Sequence, residues 1–364
     1  MIACEPCLRR TALVARLAPH VERARRDRLR LRELLALSDD QLITALAGDR
    51  RAAIRHAHES FDVACTRERL QAATIDAVCR HDQRYPLRLL EADDAPAVLH
   101  VAGDASLLAL LAARDAPAVA LVGARRAGVE GLLVAQALGR GLAAAGVTVI
   151  SGMALGIDSA AHAGGLEVGG PTIAVLAGGA DVAYPASKRS LHRELVRTQA
   201  TVSEMPPGFK PFRWCFPARN RTIAGLASMT IVVEATERSG SLITAELAQE
   251  LGRAVGVVPG PVTAPRCAGS NALLRDGALV IRNAQDALDE VLGIGVATAL
   301  TGRRPDDLEP ALGELLRRVE DGRDTVSALA ATPAEAQHAL AGLSELELLG
   351  FLRRGPGGHY VRLP

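Results

Sequence analysis

Two periods of hydrophobic and polar positions divide this chain. Residues 8–80 are rich in Leu, Ala and Arg with apolar positions at helical spacing, as in LRLRELLALSDDQLITAL, and contain no strand-like run. Ser38 and Asp39 read as the N-cap opening of a new helix. From about Ala116 the pattern becomes short apolar runs between glycine turns and helical stretches: AVALVG (118–123), VTVIS (147–151), TIAVLAG (172–178), TIVVEA (230–235), AVGVVPG (254–260) and ALVI (278–281). Stretches such as GLLVAQALGRGLAAAG between them fit amphipathic helices. Alternation of this kind predicts an α/β fold with a mostly parallel sheet wrapped by helices. Ligands of such sheets bind at the carboxyl ends of the strands. The loops at 123–128, 151–162, 178–189, 204–225 and 235–245 therefore form one candidate rim. Residues 294–307 read as a linker, and 308–364 as three helices and a Gly-turn hairpin, the layout of a winged helix. Its second long helix, AEAQHALAGLSELELLG, carries glutamates and no Arg or Lys, which favours contact with protein over DNA.

Length and composition refine this picture. A chain of 364 residues with 49% hydrophobic and 23% charged positions is a folded protein of two or three domains. No segment has the roughly 18 uninterrupted apolar residues of a membrane span, and the start MIACEPCLRR lacks a secretion pattern, so a cytoplasmic location is expected. The net charge is only +1, so any polyanion partner must be met by a local patch. Lys188 and Lys210 are the two lysines among 42 Lys and Arg residues. Cys4 and Cys7 form a CxxC pair, half of a zinc site that His56, His58, Cys65 or Cys79 could complete. With no second pair at ligand spacing, free thiols and no metal are expected.

The candidate chemistry lies on the rim. In VGARRAG, Gly123 opens a turn whose backbone N–H groups suit an anion, and Arg125 and Arg126 add charge-assisted donors. The pattern is not GxGxxG, and Ser151-Gly152 stands where a ribose-binding acid would close the next strand, so no dinucleotide cofactor is expected. Gly152 and Gly156 permit close backbone approach, and Asp158 with His162 reads as a capping carboxylate beside a packed imidazole. Tyr184, Lys188 and Arg189 follow the Gly-Gly turn of the third loop. The fourth segment, SEMPPGFKPFRWCFPARNRTIAGLA, is read as a long ordered loop. It concentrates Phe209, Phe212, Trp214 and Phe216, four of the nine aromatics, among Lys210, Arg213, Arg219, Asn220 and Arg221. Aromatic faces stack on unpaired bases while cations follow the backbone. Some of these rings must also anchor the segment, Phe216 among them. Ser239, Gly240 and Ser241 form a further anion nest, and Glu234 is either a catalytic carboxylate or a partner for the preceding arginines. HExxH, GxSxG and GxxxxGK[ST] are missing from the sequence.

The strings VGARR, SGMALGIDSAAHAGGL, TIAVLAGGADVAYP, SEMPPG, FPARNRTIAGLA, VVEATERSGSLITAELA, GRAVGVVPG and GSNALLRDGA resemble the DNA-processing protein A (DprA/Smf) family, almost continuously from 120 to 282. The resemblance implies an extended Rossmann-like domain (81–293) between a helical SAM/HhH-like domain (1–80) and a winged helix (308–364). It implies a homodimer that binds single-stranded DNA in a basic pocket, helps load the RecA recombinase during natural transformation and has no enzymatic activity or cofactor. Carried over, Arg125 matches the arginine of the first glycine turn, Lys188 or Arg189 the basic position after YP, and FPARNR part of the pocket wall. The sequence departs at Ala124, where the family has Ser or Thr, and at Lys188, where it has Asn. A rival reading is a nucleotide-processing enzyme of the phosphoribohydrolase group, with Glu234 beside the Ser239–Ser241 turn; the PGGxGT string of those enzymes is missing.

Overall fold

The computed structural model describes residues 3–24, 31–295, 308–330, 332–348 and 351–362. It divides into two units, Met1–Thr298 and Ala299–Pro364. Residues 296–307, most of the expected linker, lie outside the described residues.

The chain begins with five helices: α1 (Glu5–Ala24), α2 (Leu31–Ala36), α3 (Asp39–Leu46), α4 (Arg51–Glu59) and α5 (Val63–Ala72). Ser38 starts α3 through a capping box, its Oγ accepting from the Gln41 N–H while the Gln41 side chain accepts from the Ser38 N–H. Leu13, Leu17, Val21, Leu42, Ile43 and Ile54 close over a core that also takes in Trp214 from a distant part of the chain.

A nine-stranded sheet follows, ordered β1-β2-β6-β5-β4-β3-β7-β8-β9. Its strands are β1 (Ile75–Cys79), β2 (Val98–Gly103), β3 (Ala118–Val122), β4 (Thr148–Ser151), β5 (Thr172–Leu176), β6 (Ala200–Ser203), β7 (Met229–Val232), β8 (Ala254–Val257) and β9 (Leu279–Val280). β3 to β9 pair in parallel, while β1 and β2 extend the β6 edge antiparallel. β3 and β5 are buried at every residue, as strands covered on both faces must be. β1 falls within the stretch read as wholly helical. Its five residues follow α5 after a two-residue turn, and the burial of Ala77, Val78 and Cys79 comes from tertiary packing rather than from a long apolar run.

The covering helices are α6 (Ser106–Ala109), α7 (Val129–Ala144), α8 (Ile157–Glu167), α9 (Arg189–Thr198), α10 (Cys215–Leu226), α11 (Gly240–Glu250), α12 (Ala268–Arg275) and α13 (Ala284–Leu292). α10 corrects the expectation of a loop through FPARNR. Pro217 stands in the first turn, where a missing N–H costs nothing, so the proline starts the helix instead of breaking it.

The second unit contains α14 (Pro310–Glu320), α15 (Val326–Leu329), α16 (Pro333–Leu348) and the antiparallel hairpin β10 (Leu352–Arg354) and β11 (Tyr360–Arg362). Leu312, Leu316, Leu343, Leu346, Phe351 and Tyr360 form its own core. No described helix is long and apolar enough to cross a membrane.

α7 and α8 cross backbone to backbone because both carry glycine at the contact. A Cβ on Gly164 would be driven into the Gln136 carbonyl oxygen, and one on Gly139 into that of Ala161. Gly164→Ala, which helix propensity alone would favour, is therefore expected to destabilise the fold by roughly 1–3 kcal/mol. Urea denaturation of the two proteins measures it; a gain in stability would show that the crossing tolerates a methyl group.

Candidate nucleic-acid interface

After β3 the chain winds outward through β4, β5 and β6, then returns to place β7 on the other side of β3. Loops leaving β3 and β7 diverge at this reversal and open a crevice at the carboxyl ends of the strands. The crevice is a cleft of about 390 Å³ lined among others by Gly123, Arg125, Phe216, Asn220, Ser239 and Gly240. Gly123 is needed for packing, since a Cβ there would strike the Ile157 side chain and the Glu234 carbonyl. At Gly156 the backbone takes φ +80°, and its Cα lies against the backbone of Ala124 and Arg125. The Ile157 N–H donates to the Ala124 carbonyl at 3.3 Å, which ties the loops after β3 and β4 together.

Several residues read as ligand contacts are instead the support beneath this cleft. Arg219 is only 7% exposed and donates through Nη1 to the carbonyls of Gly152 at 2.7 Å and Val175 at 2.6 Å. Gly152 is a glycine because the Arg219 guanidinium fills the space of a Cβ, so its role is to admit an arginine rather than a ligand. Burial lowers the Arg219 pKa, opposed by the nearby Asp158 charge. Burial raises that of Asp158, although its Oδ2 accepts from the N–H groups of Gly152 at 3.2 Å and Ala154 at 3.3 Å. Arg221 is equally buried, held by Glu204 and by Asp94 at 3.4 Å. Ser151 is fully buried, with its hydroxyl donating to the Leu121 carbonyl at 2.6 Å. Ser151, Gly152, Arg219 and Arg221, read as DNA contacts, direct these bonds into the protein itself, and of the four Arg219 also lines the cleft.

The aromatic cluster divides in the same way. Trp214 is fully buried and donates its Nε1–H to the Ala18 carbonyl at 3.1 Å. Phe209 and Phe212, 6.0 Å apart, are half-buried and pack against the helical core. Phe216, expected to point inward, packs half-buried against the same core and also lines the cleft. The Arg125 guanidinium lies 5.7 Å above its ring and Tyr184 packs 5.3 Å from it. Arg125, Arg126, Arg189 and Lys210 are exposed and Lys188 half-exposed. Among the described residues none of these five has an ion-pair or hydrogen-bond partner for its side chain. Lys188 ends the short turn Ala186–Lys188 and Arg189 begins α9, both soon after Tyr184. Phe216, which lines the cleft, and Tyr184, which packs on it, are the residues to which sequence reasoning gave too little weight; their signal is the aromatic in YP and in FPARNR.

On the opposite wall, Ser239 caps α11, and its hydroxyl lies 2.7 Å from that of the buried Ser241. Asn220 Nδ2 donates to the Gly240 carbonyl at 3.2 Å and so joins α10 to this turn. Gly240 is exposed, and nothing lies within 4 Å of where its Cβ would be, which leaves a helix N-terminus open to an anion. Glu234 does not hold the arginines of the preceding segment. Its carboxylate accepts from the Gly128 N–H at 2.9 Å, at the start of α7, and pairs with Arg266 at 3.3 Å. His162 is bound to Thr172 at 2.8 Å, away from Asp158's partners.

The fold is that of a Rossmann-like protein with a cleft at the switch point of its sheet. The chain belongs to the DNA recombination-mediator protein A family, whose model matches residues 76–292. It is 37% identical over 288 residues to Protein Smf of Escherichia coli K12, covering 77% of this chain and 75% of that one. It is 46% identical over 173 residues to a putative DNA processing protein DprA of Mycobacterium tuberculosis, a match spanning 48% of this chain and 44% of the relative's length. The X-ray structure of DprA from Streptococcus pneumoniae superposes with a TM-score of 0.63 at 33% identity, covering 80% of this chain and 99% of that one. A structure of DNA processing protein A from Helicobacter pylori, described for its unique single-stranded DNA binding mode, gives 0.53 at 29% identity over 60% of this chain and 95% of that one.

Two buried imidazoles make the framework acid-sensitive. Burial holds His162 down at about 3 and His100 at about 4, against 6.5 for either in an unfolded chain. Both stay neutral in the native protein while the unfolded chain takes up protons, so their contribution is complete above pH 6.5 and is lost as pH falls toward 4 and then 3. Each removes up to about 1.4 kcal/mol per pH unit within its window. Asp158 and Glu204, raised by burial, act in the opposite sense, and comparison with a variant at the same pH isolates the imidazole. Urea midpoints between pH 7 and 5 should fall less steeply in His162→Gln than in the unaltered chain; equal slopes would mean that His162 is not held neutral.

Proposed function

We propose that this protein binds single-stranded DNA across the switch-point cleft and acts in recombination as a mediator. In this reading it is a homodimer working in the cytoplasm without cofactor or catalysis, protecting incoming strands and helping to load a RecA recombinase on them. The observation that carries the reading is the contrast between two sets of cations, of which Arg125 and Arg219 line the cleft. Arg219 and Arg221 are buried and bonded within the fold, whereas among the described residues the side chains of Arg125, Arg126, Lys188, Arg189 and Lys210 have no ion-pair or hydrogen-bond partner. Arg125 over the face of Phe216, with Tyr184 packed on that ring, and the N-terminus of α11 suit a phosphate chain with unstacked bases. Family membership supports the role in recombination, and the Helicobacter pylori neighbour supports the kind of DNA. The nucleotide-processing alternative loses its candidate carboxylate, because Glu234 is occupied by Gly128 and Arg266.

Fluorescence anisotropy of a labelled oligonucleotide across a salt series tests the proposal. Single strands should bind more tightly than duplex, with affinity falling steeply as salt rises. Arg125→Ala should lower affinity and reduce the salt slope by about one, and Phe216→Ala should cost about 1–3 kcal/mol with the slope unchanged. Equal affinity for duplex, or both variants binding like the unaltered chain, would remove DNA from this cleft.

A further inference from the structure

Cys4 lies immediately before α1 and Cys7 within its first turn, while Cys79 ends β1 and His81 follows one residue beyond. The fold brings these four to one point, with their ligand atoms all within 4.8 Å of one another. Cys4 Sγ is 3.3 Å and Cys7 Sγ 3.4 Å from His81 Nδ1, and Cys79 Sγ is 3.8 Å from Cys4 Sγ. A tetrahedral zinc ion with Zn–S of about 2.3 Å and Zn–N of about 2.0 Å requires S–S edges of about 3.8 Å and S–N edges of about 3.5 Å. We propose that Cys4, Cys7, Cys79 and His81 form a structural zinc site that fastens α1 to the edge strand of the sheet.

Three further observations fit this assignment. Cys7 and Cys79 are 4% exposed and Cys4 is half-buried, while His81 is open to solvent, so the sulfurs are shielded and an entry path remains. Any single disulfide among the three thiols would strand the third sulfur and the imidazole, whereas one four-coordinate ion uses all four. The neighbouring core is built largely of small side chains such as Ala3, Ala77 and Ala97, a packing for which a metal cross-link compensates. The second half of the site escapes a search for paired cysteines because it is a lone Cys79 and a histidine joined by a single residue. At its far end α1 meets the approach to α10, where the Trp214 indole donates to the Ala18 carbonyl and the Trp214 N–H to Glu22 at 3.1 Å. The ion would anchor one end of the helix whose other end braces the wall of the cleft.

The test uses the full chain, purified reduced and without a histidine tag, with metal content measured by mass spectrometry. About one zinc per chain is expected. Cys7→Ser and His81→Ala should each lower the content by roughly tenfold or more, and Cys65→Ser, an exposed cysteine outside the cluster, should leave it unchanged. Exchange into cobalt(II) should give the visible bands of tetrahedral coordination together with thiolate charge transfer, a readout on the unaltered chain that stands even if a variant does not fold. A reduced, folded chain that holds no zinc and takes up neither zinc nor cobalt would overturn the assignment. So would a disulfide between any two of Cys4, Cys7 and Cys79 found by alkylation and peptide mapping of freshly lysed cells.

Discussion

The guanidinium of Arg219 is the point on which the site turns. Removing a charged group from water costs several kcal/mol unless its donors are satisfied. Here Nη1 reaches carbonyl oxygens just past β4 and within β5, at Gly152 and Val175, with the Asp158 carboxylate close enough to favour the charged form. Those contacts require a glycine at 152, and they clamp α10 across the ends of two strands. Once α10 is held there, Phe216 and Asn220, one turn apart on it, face the cleft together. Phe216 then meets Arg125 from the loop after β3, and Asn220 meets the Gly240 turn after β7. Both walls of the crevice are positioned by one buried cation.

A second consequence concerns charge. With a net charge of +1 the chain offers no general attraction for a polyanion, and its cations are divided between framework and surface. Arg219 and Arg221 have their donors occupied within the fold. Among the described residues, Arg125 and Arg126 in the loop after β3, Lys188 and Arg189 after Tyr184, and Lys210 before α10 have no ion-pair or hydrogen-bond partner for their side chains. A local patch of this kind concentrates the counterion release that drives binding to phosphates without making the whole surface basic.

Much of this was legible in the sequence. The six apolar runs correspond to β3, β4, β5, β7, β8 and β9; the first five are buried parallel strands, which composition alone reveals, while β9 is a short exposed edge strand. β1, β2 and β6 were not among those runs; they extend the sheet at one edge and draw their burial from packing on it. Pattern could not show that FPARNR is helical, since Pro217 carries opposite meanings in a first turn and in a helix interior. Nor does sequence distinguish an arginine that serves the fold from one that serves a ligand. Arg219 and Arg125 both sit in conspicuous glycine- and arginine-rich strings, and only the burial of their donors separates them. The same applies to Trp214 and Phe216, two residues apart in one aromatic cluster, of which one is core and the other is cleft wall.

The proposed binding mode brings unstacked bases onto Phe216 and Tyr184 at the ends of β3 and β7. Photo-crosslinking of an oligonucleotide carrying a halogenated pyrimidine, followed by peptide sequencing of the adducts, reads that contact directly. Adducts on Tyr184 and Phe216 are predicted, with none on the buried Trp214. Adducts confined to residues 308–362, or to Phe209 and Phe212, would place the DNA elsewhere and contradict the account.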